Sequence, residues 1–174
     1  MFVFNEGIGR YYEKYIEGKH IVTGSLKNNF VKLSDHVDDN SIIFISQYTG
    51  DNVNSDIMLN SEKHGQITYA QFYNHENLIL IYLKEFCFKY GFKLKILGRP
   101  SNQLSIKKEK EFYNKILEDF DWIYIDSKSK FESYALLNQN SLIVTACCTL
   151  GLEALSRDKK IIFLPSRDKK FQIH

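Results

Sequence analysis

The sequence predicts an α/β fold, a parallel sheet with helices on both faces. Three observations carry this. From residue 41 onward, short apolar runs alternate with longer segments of helical periodicity, in the order βαβαβαβαβ. The run Ile42-Ile43-Phe44-Ile45 is unbroken, as expected of a strand covered on both faces rather than on one. The stretch from Ser141 to Leu164 reads as a buried strand, a tight turn, a short helix and a second buried strand.

Residues 1–40 are expected to form an irregular segment and linker, and residues 41–174 the domain itself. Tyr11, Tyr12 and Tyr15 lie among charges and suggest a short helix, with a short strand at His20–Thr23. Gly24-Ser25 breaks the pattern, Lys27-Asn28-Asn29 reads as a turn, and Ser34–Asn40 is a polar linker. After the strand Ile42–Ser46, residues 48–68 are polar and read as a long loop. A helix is predicted over Gln71–Tyr90, where Phe72, Leu78, Ile79, Tyr82, Leu83 and Phe86 make an apolar stripe and Gly91 a C-terminal stop. The strand Lys93–Leu97 ends at Gly98-Arg99-Pro100. A helix at 106–117, a strand at Trp122–Ile125 and a helix at 130–138 follow. The segment 141–164 completes the pattern, with its helix opening near Thr149.

The length allows one domain with its own core. A net charge of +2 with scattered lysines gives no electrostatic footprint for nucleic acid, so none is expected as a partner. Cys87, Cys147 and Cys148 have no metal-ligand spacing, and an odd count argues against a disulfide framework. A reducing cytoplasm fits best. The opening Met1-Phe-Val-Phe-Asn-Glu-Gly lacks the features of a signal peptide, and the longest apolar stretch, Leu78–Leu83, is too short to span a bilayer. Membrane contact is therefore expected to be peripheral at most, at the inner face.

In parallel sheets ligands bind beyond the carboxyl ends of the strands, near the point where strand order reverses. Three strand ends are then candidates: Ser46-Gln47, Gly98-Arg99, and Thr145–Gly151. The last feeds a helix N-terminus, where backbone N–H groups and the positive dipole end favour a phosphate. Cys148, Thr149, Leu150 and Gly151 are the candidate phosphate ligands, and Glu153, one turn on, is placed to reach a ribose or sugar hydroxyl. The plainer reading is a well-capped helix, with Thr149 or Cys148 as cap and Gly151 allowing close approach to the sheet. Arg99 reads equally as a phosphate clamp or as an exposed turn residue.

Other candidates are weaker. Asp119-Phe-Asp121 has the Asp-x-Asp shape of a metal site but falls between a helix end and a strand start, as a solvated turn would. Asn52–Asp56 lacks the glycine turn of a calcium loop. The histidines, His20, His36, His64, His75 and His174, share no metal spacing, although the 48–75 region could supply a base. Cys147 and Cys148 read as small buried residues rather than nucleophiles. Ser156-Arg-Asp-Lys-Lys160 recurs at Ser166–Lys170, too short a period for a repeat unit.

The residues Thr145-Ala-Cys-Cys-Thr-Leu-Gly-Leu-Glu-Ala-Leu-Ser-Arg-Asp-Lys-Lys-Ile-Ile-Phe163 resemble a signature of bacterial surface-carbohydrate biosynthesis proteins, which are similar to the C-terminal, donor-binding half of GT-B glycosyltransferases. Val22–Asn29 resembles the segment that leads into that half, and Ile43–Gln47 and Leu94–Pro100 its first two strands. The resemblance implies a Rossmann-like domain that binds a nucleotide-activated sugar without a metal or other cofactor. Phosphate would sit at Cys148–Gly151 with Arg99 as clamp, and Glu153 would hold the ribose or sugar. Two substitutions depart from the pattern, Cys148 for a Ser and Asp158 for a helix-ending Gly. The acceptor half of such an enzyme is not seen, which implies a separate acceptor domain or subunit, or a C-terminally incomplete domain. No general base is identified, so enzyme activity in the chain alone stays open. The alternatives are a non-catalytic or truncated nucleotide-binding module and a relative of the nucleotide-sugar epimerases.

Overall fold

In a computed structural model of the protein, which describes residues 2–3, 5–25, 29–32, 38–48, 58–61, 65–99, 102–126, 131–146 and 148–164, the chain opens with β1 (Phe2–Val3), α1 (Glu6–Tyr12) and β2 (Ile21–Val22). The expected short helix and strand are both present. Asn5 caps α1 by accepting from the Ile8 N–H at 2.9 Å. β1 and β2 pair in parallel, Phe2 with Ile21 and Val3 with Val22. His20 fastens this unit, with Nδ1 2.5 Å from the Glu13 carboxylate and Nε2 3.1 Å from that of Glu6. Its ring lies where a side chain on Gly9 would stand.

The main sheet begins with β3 (Asp38–Ile45), four residues earlier than the apolar run suggests. Asp38 and Ser41 belong to a polar cluster at the amino end of the sheet. There Lys95 donates to Asp38 at 2.9 Å, to Ser41 at 3.2 Å and to Asn140 at 3.1 Å. Within the long loop expected over 48–68, β4 (Met58–Ser61) and β5 (Gly65–Thr68) instead form an antiparallel pair, and residues 49–57 and 62–64 lie outside the described residues. Then follow α2 (Tyr69–Tyr90), β6 (Lys93–Leu97), α3 (Gln103–Leu117), β7 (Trp122–Ile125), α4 (Glu132–Asn138), β8 (Asn140–Thr145), α5 (Thr149–Leu155) and β9 (Lys160–Phe163). Gly91 ends α2 at φ 73°, and Asp158 takes the left-handed conformation at φ 58° in the turn after α5, as expected for an Asp standing in for Gly.

The five main strands are parallel in the order β7-β6-β3-β8-β9, which makes the domain Rossmann-like. β3 is central, with Ile42 beside Leu94 and Leu142, and Phe44 beside Ile96 and Val144. Alternate residues face opposite ways. Ile42 and Phe44 pack with Leu80, Leu83, Phe112 and Tyr113 from α2 and α3. Ile43 and Ile45 pack with Leu137 of α4 and Ala154 of α5. Ile42, Ile43 and Phe44 are wholly buried, each contributing on the order of 2 kcal/mol of burial free energy.

One expected helix face holds only in part, at Ile79 and Leu83. The stripe of α2 that faces the core is Glu76, Ile79, Leu80, Leu83 and Cys87, whereas Leu78, Tyr82 and Phe86 are exposed at 44%, 67% and 42%. The helix carries apolar residues around much of its circumference, so periodicity alone does not select the buried side. Among the described residues, no helix is long and apolar enough to cross a membrane.

Candidate functional site

The strand order places the three candidate strand ends on three consecutive strands, β6, β3 and β8. The connections reverse direction between β3 and β8: β6 and β7 build out to one side, β8 and β9 to the other. This is the switch point, and the carboxyl ends of β6 and β8 lie on either side of β3, about 10 Å apart, two strand spacings. The Ser46 N–H donates to the Leu97 carbonyl at 3.1 Å and the Gly98 N–H to Ile125 at 3.0 Å, so the ladder continues to the rim.

At the β8 end, Cys148 rather than Thr149 caps α5. Its Sγ accepts from the Gly151 N–H and from the Thr145 hydroxyl, both at 3.3 Å. A thiol is a weaker acceptor than a hydroxyl. Thr149 is exposed and Leu150 half-buried. Their N–H groups, as the first of the helix, have no intrahelical partner. Gly151 is buried, and a Cβ there would stand 2.9 Å from the Thr145 methyl and 3.1 Å from the Phe163 ring. The absent side chain lets α5 sit down on β8 and β9. Cys147 lies outside the described residues.

Glu153 points to a different neighbour from the one expected. It accepts from the Ser25 hydroxyl at 2.5 Å, 128 residues away in sequence. Tyr134 of α4 also bonds it, and burial together with that carboxylate pushes the Tyr134 hydroxyl up to about 12. The N-terminal segment continues along the same two helices. Phe30 packs on Phe131 with centroids 6.1 Å apart, Asn138 donates to the Lys32 carbonyl at 3.3 Å, and Arg157 donates to that of Val31.

Arg99 is exposed at the end of β6. Ser46 and Gln47 are not open cleft residues: they are 5% and 8% exposed and bound into a buried polar cluster. Two of its members are carboxyl groups, Glu76 of α2 and Glu109 of α3, 1% and 0% exposed. Glu109 is bonded to Ser46 and Tyr124, and weakly to the Arg99 N–H at 3.5 Å. Glu76 accepts from the Gln47 N–H at 2.6 Å and contacts the Tyr113 hydroxyl at 3.0 Å. Gly98 has no side chain because Tyr124 and Glu109, 2.9 Å from a Cβ there, already fill the space. Sequence reasoning missed both glutamates and both tyrosines. The signal was there: Glu109 lies one turn from Ile106, Phe112 and Tyr113 on a single face.

The remaining candidates fall as follows. Asp119 and Asp121 are exposed in the α3–β7 turn, and His20 is bound by two glutamates. Asn52–Asp56, His36, His64, His174, Lys27-Asn28 and Ser166–Lys170 lie outside the described residues. Among the described residues, no three His, Cys, Asp or Glu side chains are grouped to hold a metal ion.

The whole chain, residues 1–174, matches the family described as "putative O-antigen biosynthesis protein". The chain belongs to this family. O-antigen biosynthesis family membership supports a place in surface-carbohydrate biosynthesis, the coarser part of what the 145–163 signature implies. No curated protein matches the chain.

Proposed function

We propose that this O-antigen family member binds a nucleotide-activated sugar in the crevice above β6, β3 and β8, as the donor half of a GT-B-like glycosyltransferase. The observation that carries the reading is the position of the strand–turn–helix 145–155 at the sheet's switch point, in a chain of a surface-carbohydrate family. The first N–H groups of α5 and the Arg99 guanidinium, from opposite sides of β3, take the diphosphate. A cation and fixed N–H donors stabilise charge on the departing nucleotide without a metal. Glu153 takes a ribose or sugar hydroxyl only by exchanging it for that of Ser25, which already occupies the same carboxylate. The acceptor comes from a separate domain or subunit, at the cytoplasmic side.

Calorimetric titration with CMP, UDP, dTDP and GDP tests this, repeated on Arg99→Ala and Glu153→Ala. Selective binding of one nucleotide, weakened at least tenfold by Arg99→Ala, is the expected result. Folded protein that binds none of the four refutes it.

A further inference from the structure

Four oxygen–oxygen contacts of hydrogen-bond length link side chains of the buried cluster among the described residues: Glu109 to Tyr124, Glu109 to Ser46, Ser46 to Tyr113 at 2.6 Å, and Tyr113 to Glu76 at 3.0 Å. Each needs one hydrogen between its oxygens. The three hydroxyls bring only three, one each from Ser46, Tyr113 and Tyr124. The backbone N–H groups of Gln47 and Tyr48 do not help, since they bond Glu76 Oε1 and Ser46 Oγ separately, at 2.6 and 3.0 Å. The fourth hydrogen has to belong to a carboxyl group. We infer that Glu76 and Glu109 share one proton along the wire Glu109–Ser46–Tyr113–Glu76, so that one of the two buried carboxyls is un-ionised in the folded protein.

Two arrangements satisfy every contact. With the proton on Glu109, it donates to Ser46, Ser46 to Tyr113, and Tyr113 to an anionic Glu76. With the proton on Glu76, all three bonds run the other way and Glu109 is the anion, still accepting from Tyr124. One converts to the other when three O–H bonds break and three form in sequence, with no change in net charge. The negative charge then moves between α2, below Gln47, and α3, below Arg99.

The surroundings favour keeping the proton. Burial pushes the Glu109 carboxyl up, against the opposing pull of its hydrogen bonds to Ser46 and Tyr124. Burial and the two facing carboxyls push the Tyr113 hydroxyl well up, so it stays a donor. Among the described residues, Tyr124 and Asp126 at the end of β7 and Arg99 at the end of β6 also face the wire. Tyr48 flanks it from just beyond β3, and Lys110 of α3 lies 4.8 Å from the Tyr124 ring centroid.

Infrared spectroscopy of the full chain in heavy water at pH 8 reads the proton directly, through the carbonyl stretch of an un-ionised carboxylic acid. Folded wild type is expected to show that band, and its absence overturns the inference without any variant. Glu109→Gln and Glu76→Gln each supply an amide hydrogen in place of the shared proton, so each alone abolishes the band. A band that survives in either single variant overturns sharing, because the proton then belongs to one residue. The unfolding constant gives an independent reading. Relative to either variant, that of wild type rises about tenfold per pH unit above the free-carboxyl value of about 4.3, as the folded state holds a proton the unfolded chain releases. His20 is common to all three proteins and cancels in that comparison.

Discussion

Gly151→Ala tests the packing that seats α5 on β8 and β9. The new methyl would stand 2.9 Å from Thr145 Cγ2, about 0.5 Å inside the 3.4 Å at which ordinary contact begins. Thr145 is wholly buried and its hydroxyl is committed to Cys148 Sγ, so the methyl cannot swing away without losing that bond. Phe163, at 3.1 Å, blocks the alternative direction. Overpacking of this kind costs about 1–3 kcal/mol. Alanine returns up to about 1 kcal/mol through helix propensity. The net loss is therefore about 1 kcal/mol, read as a lower urea midpoint at unchanged slope. Thr145→Ser removes the obstructing methyl and keeps the hydroxyl. In that background Gly151→Ala should become neutral or stabilising, a coupling of about 1–2 kcal/mol in the double-mutant cycle. Equal effects in both backgrounds, or a full propensity gain in wild type, would refute the close approach.

Two further outcomes follow from ionisation. Hydrogen bonds to Glu6 and Glu13 push the His20 imidazole up from its ordinary value of 6.5. The stability it lends to the N-terminal unit is fully present below that value and is lost as pH rises through the raised one. A proton NMR titration of the His20 ring with a midpoint at or below 6.5 would contradict this. Burial pushes the Cys87 thiol up to about 11, whereas Cys148 is half-buried. At pH 8, maleimide should therefore label Cys148 in the folded chain and reach Cys87 only after denaturant is added, as peptide mapping would show.

The βα alternation was legible because its signals are local and redundant. Ile42–Ile45 reads as a strand covered on both sides, and Gly91 and Asp158 mark the ends of α2 and α5 by conformations few other residues adopt. The candidate rim was legible too, since a parallel topology sends every strand's carboxyl end to one side. What failed needs the third dimension. β1 is two residues long and exists only against β2, and β4 and β5 are four-residue strands too short to show a clear alternation. The buried face of α2 is chosen by what packs on it, and Glu76 was passed over because a glutamate ordinarily marks the solvent side. Glu153 was read against a ligand, although its present partner, Ser25, comes from the far end of the sequence.

The pairing of β3 with β8 sets the order in which the molecule can be made. Asp38 lies beside Asn140 and Phe44 beside Val144, a separation of about one hundred residues, while β6 reaches β3 after about fifty. During synthesis β3, β6 and β7 can therefore assemble under α2 and α3 while one edge and one face of the central strand still wait for chain not yet made. Closing such distant pairs is slow, and a half-built parallel sheet exposes apolar surface meanwhile. The nascent chain is most vulnerable to aggregation in the interval between the emergence of Ile125 and that of Thr145. The segment carrying Ser25, translated before β3, meets Glu153 only after the rest of the sheet has been made.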